Sequence, residues 1–304
     1  MDTLARLQNG PLLRRYYRPH RWVRAPFPKR LLFDSAPNVD LFHGLNQRLP
    51  RRGRAKMVST FHDLFVLSGE YSTADFRTRF AGQAREAADR SDRIIAVSEF
   101  TKRQVVEYLG YPKEQIAVVP HGVVMPLSVS PIDAREKIVL SVGAVQKRKN
   151  TRRLIEAFQA MGGDWQLWIA GSAGFAAEEM LKDVPPNVRV LGYVSDRELE
   201  TLYRRAAVLA FPSLDEGFGI PVLEAMAHGV AVLTSNRSAL PEVAGDAALI
   251  VDPFETEAIA EGLKQLESIE ARSEFVAKGL ERAREFSWEG SAAMTAAVYG
   301  ELLN

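Results

Sequence analysis

The chain contains no cysteine. Disulfides, thiolate nucleophiles and thiolate metal sites are thereby excluded. Histidine is scarce too. The five present (His20, His43, His62, His121, His228) show no close metal-ligand spacing, so no metal site is expected. No apolar run approaches the ~18 residues that a membrane-spanning helix needs. The start of the chain lacks the apolar core of a signal peptide, because Leu12-Leu13 run directly into Arg14-Arg15. These absences fit a cytoplasmic protein. Internal repeats and low-complexity tracts are also missing, so nothing points to a repeat architecture.

What is present fits a globular protein. The 304 residues suit two domains of ordinary size, and 46% hydrophobic with 25% charged residues suits a soluble chain. The net charge of +1 hides an asymmetry. Residues 1–56 carry 13 Lys/Arg against 3 Asp/Glu, and the rest of the chain carries 26 against 35. Residues 1–30 form a basic arm, with aromatics among cations in Arg14-Arg15-Tyr16-Tyr17-Arg18 and Arg21-Trp22-Val23-Arg24. Such an arm either stands solvated or touches anionic lipid headgroups at the inner membrane face or a phosphate-bearing acceptor. Nucleic-acid binding would rest on this arm alone and is not expected.

From about residue 31, short apolar runs alternate with longer amphipathic ones. This pattern predicts an α/β fold with mostly parallel sheet. In the first half, strands fit Leu41–His43, Met57–Phe61, Arg93–Val97 and Ile116–Val119, with helices at Thr73–Arg90 and Glu99–Leu109. The segment His121–Asp133 reads as a linker. In the second half, strands fit Ile138–Val142, Gln166–Ala170, Val188–Leu191, Val208–Phe211, Ala231–Thr234 and Ala248–Val251. Helices fit Thr151–Met161, Phe175–Leu181, Asp196–Ala206, Ile220–His228 and Thr256–Glu267, and two more close the chain. Several strands end in glycine or small polar residues: Val142-Gly143, Ala170-Gly171-Ser172, Phe211-Pro212-Ser213. Ligands of open α/β sheets bind at such strand ends.

One stretch concentrates chemistry: Glu216-Gly217-Phe218-Gly219-Ile220-Pro221-Val222-Leu223-Glu224-Ala225-Met226. Glycines followed by proline mark a loop turning into a helix. The helix start offers unpaired N–H groups and a positive dipole end, which suit phosphate. A carboxylate on each side can hold hydroxyls. Taken singly, Glu216 reads equally as a solvated loop residue and Glu224 as a complement to the helix dipole. A second stretch, Val142-Gly143-Ala144-Val145-Gln146-Lys147-Arg148-Lys149-Asn150, places three cations just before a helix start, where the dipole disfavours them unless an anion joins. Asn150 is the expected N-cap of that helix. A third, Thr60-Phe61-His62-Asp63-Leu64, sets a His-Asp pair at a strand end.

Together these strings resemble glycosyltransferase family 4, the group 1 family of retaining nucleotide-sugar transferases. Residues 216–226 are similar to its E-x7-E signature, residues 148–150 to its R-K-N turn, and residues 62–64 to its H-D-L motif. Val97-Ser98-Glu99-Phe100-Thr101, Pro120-His121-Gly122-Val123, Ser238-Ala239-Leu240-Pro241-Glu242 and Phe286-Ser287-Trp288 resemble further family blocks. The resemblance covers residues 38–304. It implies a GT-B fold of two Rossmann-like domains facing a cleft: residues 1–125 on the acceptor side, 126–288 binding the nucleotide sugar, and a helix at 289–304 crossing back. It implies catalytic roles for His62, Asp63 and Glu216 beside the donor sugar. It implies donor contacts from Gly143, Arg148, Lys149, Gly171, Ser172 and the turn Gly217, Phe218, Gly219, Ile220, with Glu224 on the ribose.

The implied reaction transfers a sugar from a nucleoside diphosphate sugar, with GDP-mannose the first expectation and UDP-sugars next. The acceptor is a saccharide or lipid-linked hydroxyl, and neither metal nor other cofactor is required. The first strand, glycine-rich loop and helix of the family are not found, so the N-terminal domain reads as shortened. The alternative reading is therefore a non-catalytic sugar-nucleotide-binding subunit. The position after Gly143, often arginine in the family, is Ala144 here.

Overall fold

A computed structural model describes residues 39–50, 54–69, 71–174 and 176–304. The basic arm expected at 1–30 lies outside the described residues. Two parallel sheets organise the rest. The first contains β1 (Leu41–Gly44), β2 (Lys56–Phe61), β3 (Arg93–Ala96) and β4 (Ile116–Val118), side by side in chain order. The second contains β5 (Glu136–Val142), β6 (Gln166–Ala170), β7 (Val188–Gly192), β8 (Ala206–Phe211), β9 (Ala231–Ser235) and β10 (Leu249–Val251). Its spatial order is β10-β9-β8-β5-β6-β7. Strand order thus reverses between β5 and β8, and the loops after these two strands meet at the switch point where such sheets bind ligands. The strand β8 (Ala-Ala-Val-Leu-Ala-Phe) is buried throughout, as a central parallel strand covered on both faces must be.

The helices are α1 (Phe65–Ser68), α2 (Ala74–Arg90), α3 (Glu99–Leu109), α4 (Thr151–Met161), α5 (Ala177–Met180), α6 (Asp196–Arg205), α7 (Ile220–Ala227), α8 (Leu240–Ala244), α9 (Thr256–Gln265), α10 (Ile269–Arg284) and α11 (Trp288–Leu303). None is long and apolar enough to cross a membrane. Side-chain caps start many of them: Thr73, Ser98, Ser195, Ser268 and Ser287 each accept a first-turn N–H. The single turns α1 and α8 escape the sequence reading because one turn carries no periodicity.

Two local expectations are corrected. Asn150 does not cap α4. Its backbone is left-handed (φ 60°), and its Nδ2 donates instead to Pro212 O (3.1 Å) and Pro253 O (2.6 Å), tying together loops after two other strands. The expected gap between helix 196–206 and strand 208–211 is also absent, because α6 runs straight into β8. Buried Arg135 makes this possible by donating to Tyr203 O and Ala206 O, both at 2.8 Å, where helix-end carbonyls would otherwise be orphaned.

Both faces of the second sheet are covered. On one, Leu140, Leu209 and Val232 pack with Val222, Leu223 and Met226 of α7. On the other, Val139, Leu167 and Leu233 pack with Leu154 and Phe158 of α4 and Leu263 of α9. Each such side chain contributes roughly 1.5–3 kcal/mol by leaving water. The last helix follows the second sheet in the chain but packs on the first. Val298 and Tyr299 of α11 lie against Leu41, Val58 and Ile95, and Arg93 pairs with Glu301 at 3.5 Å.

Candidate active site

The loop after β8 carries Glu216 into a cluster of charge. Its carboxylate pairs with Arg148 Nη1 at 2.7 Å and Lys149 Nζ at 2.6 Å; Arg148 and Glu216 are buried and the Lys149 side chain is mostly so. Burial alone opposes ionisation of Glu216, but Lys149 and then Arg148 outweigh it and hold its carboxyl below the usual range. Burial lowers the Lys149 ammonium from its ordinary value, with Glu216 opposing. Gly143, at the end of β5, makes room for this lysine. A Cβ there would sit 3.0 Å from Lys149 Cε, and the backbone (φ 127°) suits glycine.

Arg148 is held on every side. It donates to Asp215 O at 2.7 Å, and its guanidinium lies over the Phe65 ring at 4.3 Å. Asp63 belongs to the same cluster; burial raises its pKa, and Arg148 partly offsets this. Asp215 is raised by burial as well, against a hydrogen bond from Ser68 Oγ.

Next to Glu216, Gly217 marks a close approach of the two halves. A Cβ on Gly217 would lie 1.7 Å from His62 O, so no other residue fits. The Gly217 carbonyl accepts from Ser98 Oγ (2.6 Å) and Thr101 Oγ1 (3.0 Å), both at the start of α3. In return, Glu242 of α8 accepts from the N–H groups of Glu99 and Phe100. The Phe218 side chain is buried between His121 and Phe286, which leaves the backbone of this turn as its available chemistry. Gly219 precedes α7, where Ile220 N–H has no intrahelical partner by geometry, Pro221 has no N–H, and Val222 N donates to Gly219 O at 2.9 Å.

One turn further along α7, Glu224 Oε2 accepts from Tyr203 OH at 2.9 Å. Burial raises the Glu224 pKa, and the Tyr203 bond opposes it. On the neighbouring strand end, Gly171 abuts Gly143, where a Cβ would lie 1.9 Å from Gly143 O. Ser172 follows it, exposed, and its carbonyl accepts Val145 N at 2.9 Å. Contacts therefore run continuously from Gly171 through Gly143, Lys149, Glu216 and Gly217 to His62. Four strand-end loops, those after β2, β5, β6 and β8, converge there.

The description "Glycosyl transferases group 1" matches residues 128–285, and "Glycosyltransferase Family 4" matches residues 3–125. The O-antigen chain mannosyltransferase B of Escherichia coli is 32% identical over 97% of this chain and 82% of that protein. The chain belongs to the group 1 glycosyl transferases. It is of the hexosyltransferase class, and its fold is GT-B. Sucrose-phosphate synthase from Thermosynechococcus elongatus superposes with a TM-score of 0.76 at 22% identity, covering 97% of this chain and 82% of that one. Anabaena HepE, solved with UDP and glucose, gives 0.67 at 18%, covering 82% and 72%.

Several residues of this transferase site were not singled out for the site in the sequence. Ser238 Oγ accepts from Glu216 N at 3.0 Å and sets the loop. Ser98 and Ser238 lie inside blocks that resemble the family, so a signal existed. Tyr203 and Phe65 gave none: each reads locally as an ordinary helix residue.

Proposed function

We propose that this transferase moves a mannosyl group from GDP-mannose to a hydroxyl of a saccharide or lipid-linked acceptor in polysaccharide synthesis, with retention at the anomeric carbon. The observation that carries the reading is the buried Glu216 carboxylate between Arg148 and Lys149, beside the start of α7. A carboxylate, two cations and a helix N-terminus are the parts needed to hold a sugar hydroxyl and a diphosphate at once. The choice of mannose is supported by the O-antigen mannosyltransferase relative. UDP-sugars remain the second donor class, supported by HepE.

In this scheme the diphosphate enters against Lys149 and the N–H groups of Phe218 to Ile220, and Lys149 is shared between it and Glu216. As the anomeric C–O bond breaks, the electron pair leaves with the diphosphate, whose growing charge these groups stabilise. The acceptor oxygen bonds to the same face, and its proton passes to the departing phosphate oxygen. Glu224, held by Tyr203, takes the ribose hydroxyls. Arg148 keeps Glu216 ionised and joins the loops, and no metal takes part.

The test is incubation with GDP-mannose or UDP-glucose and a manno-oligosaccharide, with NMR of the product. The expected product is α-linked mannose, formed equally with and without EDTA. A β-linked product, or loss of activity with EDTA that divalent ions restore, would contradict the scheme.

A further inference from the structure

His62 does not stand alone. Its Nε2 lies 2.8 Å from Leu45 O, and its Nδ1 lies 3.2 Å from Nε2 of His121. The two imidazole planes are within 6° of parallel, with centroids 5.2 Å apart. Rings stacked face to face would sit closer. This spacing, with facing nitrogens 3.2 Å apart, places the rings edge to edge with the hydrogen bond near the ring plane. His121 is fixed in turn by an edge contact with Phe218 (5.1 Å, 89°) and a tilted contact with Trp288 (5.7 Å).

The proton positions follow from the partners. A backbone carbonyl only accepts, so Nε2 of His62 carries its hydrogen. In a neutral imidazole the other nitrogen is then a bare acceptor. His121 must therefore present Nε2–H to it.

We propose that His121 is the positioning residue that keeps His62 an Nε2–H tautomer when a sugar hydroxyl displaces the Leu45 carbonyl, so that His62 meets the sugar as a hydrogen-bond donor and never as a base. The proposal rests on the transferase reading above for its consequence, but not for its geometry. Burial and then the charge of His62 push His121 down to about 4, so it is neutral at working pH, as the donor role at one nitrogen allows. Leu45 is exposed, so its carbonyl stands where a ligand hydroxyl can replace it as acceptor. Asp63 and half-buried His43 also face this pair electrostatically, and neither supplies a competing acceptor to Nδ1.

The test is ¹⁵N NMR of the imidazoles at pH 7.5 with GDP-mannose bound and no acceptor, with kinetics, for the wild type, His121→Phe and His121→Gln. Glutamine retains an N–H near the place of Nε2, and phenylalanine does not. The wild type should show His62 as one tautomer, protonated at Nε2. His121→Phe should give a mixture and lower kcat roughly tenfold, the effect of one lost hydrogen bond, with donor KM within twofold. His121→Gln should restore both. Protonation of His62 at Nδ1 in the wild type, or equal kcat in the two variants, overturns the proposal. A single Nε2–H tautomer in a protein that transfers no sugar would instead overturn the transferase reading and leave the tautomer assignment standing.

Discussion

Glu216 was visible in the sequence as half of a spaced carboxylate pair, but its electrostatic situation was not. Spacing along the chain cannot show that two cations from another strand end close on one buried carboxylate. The pairing decides how substitutions behave. Glu216→Ala leaves Arg148 and Lys149 buried side by side without their counter-charge, and is expected to cost about 3–5 kcal/mol of stability. Lys149→Ala leaves Arg148 still paired with Glu216, so its cost should be clearly smaller. Urea unfolding of both variants checks the order, and a larger loss for Lys149→Ala would contradict it. His121 illustrates the other limit. Its resemblance block was readable, but its bond to His62 joins residues 59 apart in the chain, which no local pattern encodes.

At the scale of elements, periodicity found the strands and long helices because each buries one face or two. It could not order them. The neighbouring of β5 and β8, which brings the Lys149 turn to the Glu216 loop, is a non-local choice made by packing. The start of α3 shows an element serving both fold and site. Ser98 accepts Thr101 N at 3.0 Å as a helix cap and donates to Gly217 O at 2.6 Å. Ser98→Ala removes both and is expected to lower stability by about 1–2 kcal/mol. Ser98→Thr, which keeps the hydroxyl, should recover most of this in the same thermal or urea melt. Equal losses in the two variants would assign the effect to packing.

At the scale of the whole molecule, half-buried neutral histidines hold separate elements together, and this makes stability depend on pH. His43 of β1 bonds Thr60 of β2 and Tyr299 of α11, and His121 joins His62, Phe218 and Trp288. Burial, then the charge of His62, lowers both to about 4 from 6.5. Below pH 6.5 the unfolded chain takes up protons that the folded one refuses. Their contribution is therefore fully present above pH 6.5 and falls as pH drops towards 4, by up to about 3 kcal/mol per histidine. Asp63, Asp215 and Glu224 are shifted upward and act in the opposite sense. The histidine share is therefore read as a difference. Urea midpoints between pH 7.5 and 5 should fall more steeply for the wild type than for His121→Gln, and parallel slopes would contradict this.

The central claim is that Lys149 of the β5 loop and Glu224 of α7 hold one nucleoside diphosphate sugar. Isothermal titration of GDP-mannose tests it most directly. The wild type is expected to bind, with each of Lys149→Ala and Glu224→Ala weakened about ten- to hundredfold, as loss of a charged hydrogen bond dictates. Unchanged affinity in both variants, with the wild type binding, would contradict it.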